Sequence, residues 1–296
     1  MKILMETYID TIEKALAKYL PNDSNPAQSN LSKAMEYSLM AGGKRIRPVL
    51  LIEFYKICGG KNIEDVLPFA CAIEMIHTYS LIHDDLPCMD NDYMRRGKPS
   101  NHIAFGEDIA LLAGDALLNL AFETMLSNAN TKSIPTENII RAAGILAKDS
   151  GFYGMIGGQA LDLYNESKKI DIDALKDTDN KKTGALIKAA CSMGCVLASA
   201  NEKKINAAEK YAECLGLAFQ IVDDILDITA DQKELGKPIK SDLANEKSTY
   251  VSILGLKRSE EIVNELTQKS IAALNEFDDD PVFLRNIAIQ LSKRRK

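Results

Sequence analysis

Three carboxylates follow a long apolar stretch and are themselves followed by a pair of arginines. The carboxylates are Asp84, Asp85 and Asp90, and the arginines are Arg95 and Arg96. Buried carboxylates repel one another and lose hydration unless a cation compensates for their charge. Guanidinium groups make paired hydrogen bonds to phosphate oxygens. The segment therefore predicts Mg²⁺ that carries a phosphorylated ligand.

A second acidic cluster contains Asp223 and Asp227, which are four residues apart in another long apolar-periodic segment. A helix presents such residues on one face, about 6 Å apart along its axis. Asp84 and Asp90 are six apart, and Pro87 between them indicates that Asp90 returns from an irregular turn. Clusters of oxygen ligands without histidine suit Mg²⁺. The alternative is a solvated acidic run, which is how we interpret residues 278–280.

Basic residues and one histidine are candidates for binding an anion. Lys44 and Arg47 lie just before the first turn of a predicted helix, a natural place for an anion, although an exposed basic turn is the alternative. His77 belongs to the single polar stripe of a predicted helix over residues 68–84, together with Glu74 and Ser80. We expect this stripe to line an internal cavity. His77 is either a phosphate ligand or a satisfied core histidine.

Two further patterns favour structural interpretations. The glycines at 151, 154, 157 and 158 have no strand before them and no Gly-Lys-Ser/Thr after them, so we predict close helix packing and no nucleotide loop. The terminal basic residues 293–296 are predicted to be a solvated tail, with a diphosphate contact as the alternative.

The elements that must position these groups are helices, because apolar residues recur at helical spacing and strand-like alternation is absent. The predicted helices span residues 2–20, 31–41, 48–58, 68–84, 108–128, 136–149, 183–200, 202–230, 247–274 and 281–293. Residues 21–30, rich in Asn, Ser and Pro, are predicted to be a loop, and residues 165–180 a loop or a short helix. We predict an all-α fold in a single domain over residues 1–296, since no Pro/Gly/Ser-rich linker divides the chain.

Composition excludes several classes of function. The net charge of −6 argues against nucleic acid as a partner, and 46% apolar with 26% charged residues is typical of a globular protein. No apolar run approaches the roughly 20 residues that a membrane span needs. The six cysteines are scattered through apolar segments without a C-x-x-C pair, which predicts buried, reduced thiols and a cytoplasmic location.

Together the motifs resemble those of the trans-isoprenyl diphosphate synthases. The matching positions, in chain order, are Gly43, Lys44, Arg45, Arg47, Pro48, Asp84, Asp85, Asp90, Arg95, Arg96, Gly97, Gly158, Gln159, Asp162, Lys182, Thr183, Phe219, Gln220, Asp223, Asp224, Asp227, Gly236 and Lys237. They span nearly the whole chain. The resemblance implies an all-α fold with a central cavity and the Mg²⁺-dependent joining of five-carbon units. It also implies a homodimer, which is the usual assembly in this family.

The resemblance also implies a role for each matching residue. The isopentenyl diphosphate site would contain Lys44, Arg47, His77 and Arg96. The allylic diphosphate would contact Arg95, Lys182, Thr183, Gln220 and Lys237, of which Thr183 and Gln220 would lie near the developing cation and, with Lys182 and Lys237, would be catalytic. Two Mg²⁺ ions would bind Asp84, Asp85 and Asp90, and a third would bind Asp223 supported by Asp227. Tyr93, where relatives often continue the acidic run, lies beyond these ligands.

Product length is the remaining question that the sequence addresses. In this family the residues four and five before the first aspartate set the product length, and here they are Ser80 and Tyr79. Tyr79 lies about 7–8 Å below Asp84 by helix rise. This pattern resembles bacterial farnesyl diphosphate synthases, so we predict condensation of isopentenyl diphosphate with dimethylallyl and geranyl diphosphate to give farnesyl diphosphate. Geranylgeranyl or geranyl diphosphate is the alternative product, and a core tyrosine without a gating role is the alternative for Tyr79.

Other classes of helical protein fit the sequence less well. A non-catalytic subunit of a two-chain prenyl synthase, or a diphosphate-binding regulator, would be expected to lose the metal carboxylates, and both clusters are intact here. A terpene cyclase is also helical and Mg²⁺-dependent. It has no second substrate, so it would not need the anion site around Lys44 and Arg47.

Overall fold

The structure is a computed structural model that describes residues 2–22, 24–166, 168–229 and 248–294, and within these the chain is all-α. The helices are α1 (Lys2–Tyr19), α2 (Pro26–Leu39), α3 (Ile46–Ile57), α4 (Leu67–Asp84), α5 (Asn101–Phe105), α6 (Glu107–Asn128), α7 (Thr136–Ser150), α8 (Met155–Asn165), α9 (Ile172–Asp179), α10 (Ala185–Leu197), α11 (Glu202–Thr229), α12 (Tyr250–Leu254), α13 (Leu256–Ala273) and α14 (Val282–Ser292). A π-helical turn, Asn180–Gly184, joins α9 to α10. Two short strands, β1 (Met94–Arg95) and β2 (Lys98–Pro99), form a hairpin.

Helix α4 is the centre of the core. It packs against α1, α2, α3, α6 and α10, and Phe69, Ile73 and Ile76 are fully buried. A helix that is apolar nearly all round must be enclosed by other elements, as its sequence predicts. The polar groups at its carboxyl end are thereby held at the boundary between the packed core and the neighbouring helices.

A buried ion pair fixes the chain just before α3 to α4. Arg45, whose φ of 47° is left-handed, donates hydrogen bonds to Glu74 at 2.8 Å and to the carbonyl oxygen of Leu39 at 2.7 Å. Both charged side chains are almost fully buried. The expectation that Glu74 lines the cavity is therefore wrong, because its carboxylate is the partner of Arg45. The ion pair between Arg45 and Glu74 fixes the backbone segment that carries Lys44 and Arg47.

We expect the substitution Glu74→Gln to lower the free energy of unfolding by about 3 kcal/mol, because it removes the buried counter-charge of Arg45 and leaves only the partly exposed Glu13, 3.4 Å from the guanidinium group. Urea titration followed by circular dichroism measures this loss. The matched control is Asp10→Asn, which removes an exposed ion pair with Lys14 and is expected to cost at most about 1 kcal/mol. A Glu74→Gln protein as stable as that control would contradict the structural role.

The structure corrects several predicted helix boundaries. Helix α2 begins at Pro26, within a stretch predicted as loop, because Asn25 caps it by accepting a hydrogen bond from the backbone N–H of Ala27. The predicted helix over 247–274 is divided at Gly255, whose φ is 81°. Residues 165–180 contain the short helix α9, capped by Asp171. Helix α8 was not predicted.

Two expectations from composition need adjustment. Cys88 is exposed, so the prediction that every cysteine is buried is wrong there. Helix α6 is long and apolar enough, by length and composition alone, to cross a membrane, contrary to the expectation that no apolar stretch approaches that length. One side of α6 packs on α4 through Ala113, Leu117 and Ala121, as the core helix of a globular protein does.

Candidate functional site

The first acidic cluster is formed by the end of α4 and a turn that folds back on it. The backbone N–H of Asp90 donates to the carbonyl oxygen of Asp84 at 2.9 Å, which is the irregular return that Pro87 predicted. Asp85 is buried and accepts hydrogen bonds from Nε of Arg95 at 3.0 and 3.1 Å. The turn and the β1–β2 hairpin thus bring acidic and basic groups together.

Asp84 is the most strongly perturbed carboxyl group of this cluster. Burial raises its pKa to about 6; Lys182 opposes this rise, and Asp90 and Asp85 add to it. The three carboxyl groups are therefore close enough to repel one another. Such a site stabilises a cation.

Lys182 reaches the cluster from the π-helical turn between α9 and α10. Its Nζ donates to Asp162 of α8 at 2.7 Å. A Cβ on Gly158 would lie 2.1 Å from the backbone N of Lys182, so only glycine lets α8 approach the turn this closely. This confirms close helix packing for Gly158. Single π-helical turns often occur at functional sites, and this one also carries Thr183.

The second acidic cluster lies on α11, beside the same turn. Burial raises the pKa of Asp179 to about 6, although the nearby Tyr250 hydroxyl, Lys182 and the Gln220 amide oppose the rise. Gln220 therefore faces the end of α9. One turn further along α11, Asp223 and Asp227 follow on the same side. Asp224 has a different task, since it accepts a hydrogen bond at 2.7 Å from the backbone N–H of Tyr250 at the start of α12.

The chain end reaches the second cluster. Arg294 pairs with Asp223, and its guanidinium group lies 4.0 Å from the centre of the Phe219 ring. Burial lowers the pKa of Arg294 to about 10. Burial and the nearby Arg294 lower the pKa of Lys44. The prediction of a solvated tail is therefore wrong for residue 294, while residues 295–296 lie outside the described part.

Basic side chains gather on the other side of the site. Burial, followed by the charges of Arg47, Arg96, Arg45 and Arg95, holds the pKa of His77 well below its usual range, so the imidazole is neutral at pH 7. Burial also lowers the pKa of Arg47, with a further contribution from Arg96. Arg96 donates to the carbonyl oxygen of Gly42. His77 is thus a neutral group inside a cluster of cations.

Pairwise interactions link most of these groups round the site, while Gln220 and Asp223 are neighbours on α11 and Lys44 and Arg47 are neighbours along the chain. In order, the groups are Asp84, Lys182, Asp179, Gln220, Asp223, Arg294, Lys44, Arg47, Arg96, Arg95 and Asp85. We call this set the charged ring. Acidic groups dominate one side and basic groups the other, as a metal and a bound diphosphate together require.

Some predicted residues lie away from the charged ring. Tyr79 is buried one helical turn below it on α4, and Ser80 donates its hydroxyl to the carbonyl oxygen of His77 at 2.9 Å. Tyr93 is exposed. Lys237, predicted to contact the allylic diphosphate, lies outside the described residues, as does Gly236.

Three residues of the site were not given a role by the sequence. Asp162 was part of a matching motif, and Arg294 belonged to the basic tail, so a signal existed for both. No sequence signal indicated Asp179, because it is one of several charged residues in a polar stretch.

The donor set fits Mg²⁺ bound together with a diphosphate. Among the described residues, no three side chains of Asp, Glu, His or Cys converge closely enough to hold a metal by themselves. Mg²⁺ commonly binds through one or two carboxylates, with phosphate oxygens and water completing its shell. The mutual repulsion of Asp84 and Asp90, and the pairing of Asp85 and Asp223 with guanidinium groups, show that these carboxylates need a cation.

We expect Asp179→Asn to change how stability depends on pH. A folded-state pKa of about 6, against the usual 3.8, means that Asp179 contributes stability below about pH 3.8 and loses it as pH rises through 6. The stability of the wild type relative to the variant should therefore fall between pH 4 and pH 7. Thermal unfolding across this range measures it, and a difference that does not change with pH would contradict the assignment.

Comparisons with known proteins show the family to which the chain belongs. The sequence matches the polyprenyl synthetase family over residues 28–280. It is 44% identical over 279 residues to the heterodimeric geranylgeranyl pyrophosphate synthase large subunit 1 of Arabidopsis thaliana, covering 93% of this chain and 74% of that protein. It is 44% identical over 280 residues to the geranylgeranyl diphosphate synthase of Cyanophora paradoxa, covering 94% and 91%. A crystal structure of an FPP/GFPP synthase from Zymomonas mobilis superposes with a TM-score of 0.86 at 36% identity, covering 97% and 96%.

Proposed function

Because the chain belongs to the polyprenyl synthetase family and is a prenyltransferase, we propose that it joins isopentenyl diphosphate head to tail to allylic diphosphates with the help of Mg²⁺. The observation that supports this most directly is the charged ring, which pairs carboxylates suited to a metal with unneutralised cations suited to diphosphates. A non-catalytic subunit would not need both the acidic side and the basic side of the charged ring.

The basic side of the ring would hold isopentenyl diphosphate. Arg47 is half-buried and Arg96 is exposed beside it. The charge of Arg96 lowers the pKa of Arg47, so an anionic diphosphate would relieve a repulsion that the free protein carries. His77 is neutral and can offer a hydrogen bond without adding charge. Lys44 is exposed at the edge of the cluster, where an incoming diphosphate meets it first.

The acidic side would hold the allylic diphosphate. Mg²⁺, held by Asp84, Asp85, Asp90, Asp223 and Asp227, would stabilise the negative charge that develops on the leaving diphosphate. Lys182 and Arg95 are fixed cations beside these carboxylates and stabilise the same charge without reorganising. Thr183 and Gln220 lie next to Lys182 and would face the carbocation. The carboxylates bind metal and do not act as bases, so the released diphosphate would take the proton.

Of the possible products we place geranylgeranyl diphosphate first. The relatives from Arabidopsis and Cyanophora are both named for that product, and each covers more than nine-tenths of this chain. This supports the alternative product more strongly than the farnesyl product that the sequence favoured.

Farnesyl diphosphate is the second candidate, and Tyr79 favours it. The side chain is 4% exposed, and it lies about 7–8 Å below Asp84 along α4, a depth suited to a geranyl chain in the last condensation. The Zymomonas structure is described as an FPP/GFPP synthase.

The deciding experiment supplies labelled isopentenyl diphosphate with dimethylallyl, geranyl or farnesyl diphosphate, with and without Mg²⁺, and measures product length by chromatography. We expect condensation only with Mg²⁺ and geranylgeranyl diphosphate as the end product. An end product of farnesyl diphosphate would establish the second candidate. No condensation with any allylic substrate in the presence of Mg²⁺ would overturn the proposed activity.

We expect Tyr79→Ala to lengthen the end product by at least one five-carbon unit, because it removes the buried ring that would stop the growing chain. The same product assay measures it. Tyr93→Ala is the matched control, since that ring is exposed and outside the charged ring. An unchanged product from Tyr79→Ala would show that Tyr79 is an ordinary core residue.

A second copy of this chain is the proposed partner. The side of α6 that faces away from α4 exposes Leu111, Leu112 and Leu126, and Phe152 and Tyr153 are exposed before α8. Contiguous exposed apolar groups mark interaction surfaces. The Arabidopsis relative is named as a heterodimeric subunit, so a related second chain is the other candidate. A cytoplasmic location and the absence of a nucleic-acid partner remain predictions from composition.

We expect Leu112→Asp to convert a dimer into a monomer, because it places a charge among the exposed leucines of α6. Sedimentation velocity of the purified protein measures the mass. Lys132→Asp, an exposed change after α6, is the control. A wild type that sediments as a monomer would contradict the homodimer.

A further inference from the structure

His83, the residue before Asp84, lies between Tyr79 and helix α6. Its ring meets the ring of Tyr79 edge-on, with centroids 5.7 Å apart. Its Nε2 is 3.0 Å from the carbonyl oxygen of Leu111. A carbonyl oxygen can only accept a hydrogen bond, so Nε2 carries the hydrogen and donates it. The imidazole is therefore anchored to α6 on one side and packed on Tyr79 on the other.

Gly114 makes this arrangement possible. A Cβ at position 114 would lie 2.0 Å from Nε2 of His83, closer than any side chain permits. The absence of a side chain there opens the groove on α6 that the imidazole fills. His83 and Gly114 are thus complementary in shape, and a change at either one alters the fit of the other.

Tyr79 depends on this contact for its orientation. Its hydroxyl is buried and has no hydrogen-bond partner among the described residues. Packing alone therefore decides where the ring points, and the His83 imidazole is the aromatic group that it packs against. A tyrosine held by a hydrogen bond would not need such support.

We propose that His83 is a specificity-determining residue, which fixes the Tyr79 ring in the position that ends the growing isoprenoid chain. The inference rests on the proposed synthase activity and on Tyr79 as the residue that ends the chain, so an unchanged product from Tyr79→Ala would overturn it. His83 positions Tyr79 and does not touch the reacting atoms. The floor of the cavity is then a unit of Tyr79, His83 and Gly114 that joins α4 to α6.

The first test is the product length of His83→Ala. Without the imidazole, Tyr79 turns towards the emptied groove on α6, so the share of product one five-carbon unit longer than the native one should rise about tenfold. His83→Gln retains an N–H donor for the carbonyl oxygen of Leu111 and should keep the product closer to native. The rate of the first condensation, with dimethylallyl diphosphate, should change little in either variant.

The second test uses the shape complementarity between the two positions. Gly114→Ala should push the imidazole onto Tyr79 and shift the product towards shorter chains, and the same change should have no further effect in a His83→Ala background. Gly144→Ala in α7 is the matched control, because a Cβ there meets nothing within 4 Å. If Gly114→Ala does not fold, as circular dichroism will show, the His83 variants decide the question alone.

The outcomes separate this inference from the proposed function. A wild type that condenses no substrate overturns the function. A wild type that is active, with His83→Ala giving the native product distribution, overturns the inference and leaves the function intact. The inference is established if His83→Ala gives longer products and if adding Gly114→Ala to His83→Ala does not change the product length further.

Discussion

The structure depends on the compensation of negative charge at the carboxyl end of a buried helix. Asp84 and Asp85 stand where α4 leaves the core, and Asp90 is folded back on them. Separate parts of the chain supply the cations, with Arg95 coming from the β1–β2 hairpin and Lys182 from the π-helical turn. These cations oppose the rise in the pKa of Asp84 without cancelling it, since burial, with Asp90 and Asp85, keeps that pKa at about 6. A bound metal would supply the positive charge that is still missing beside these carboxylates.

On the basic side of the charged ring, positive charge is in excess. The Arg45 guanidinium is matched by Glu74, so it serves the fold. The half-buried Arg47 lies near the exposed Arg96, and Glu74 offsets their charges only in part. Burial, together with these cations, holds the pKa of His77 well below its usual range. Cations and carboxylates that are each incompletely neutralised, on two sides of one site, favour a ligand that is itself an anion carrying divalent metal. A magnesium diphosphate has that chemistry.

Much of this could be predicted from the sequence, because the decisive signals are local. The apolar surround of α4, the break at Pro87 and the pairing of Asp223 with Asp227 each follow from spacing along one helix. Asn25 and Pro26 were also a local signal, a cap followed by a first-turn proline, but the polar composition around them indicated a loop. Helix α8 was hidden because glycines weaken helix propensity, although Gly158 is there to let α8 approach the π-helical turn.

What could not be predicted depends on contacts between distant parts of the chain. The pairing of Glu74 with Arg45, and of Arg294 with Asp223, joins residues that no spacing rule connects. The same holds for His83, whose neighbour Gly114 gives no sign of its purpose until α6 is packed on α4. The sequence predicts that Tyr79 limits the product, and the structure adds the groups that pack against its ring.

The central claim is that the two acidic clusters bind divalent metal together, around a diphosphate. Anomalous diffraction from crystals grown with Mn²⁺ and a non-reacting thiolo analogue of an allylic diphosphate tests it most directly. The account predicts Mn²⁺ peaks beside Asp84 and Asp90 and beside Asp223 and Asp227, with the diphosphate between them and Arg294 moved away from Asp223. Mn²⁺ found only at the surface carboxylates of residues 278–280, or no Mn²⁺ between α4 and α11, would contradict it.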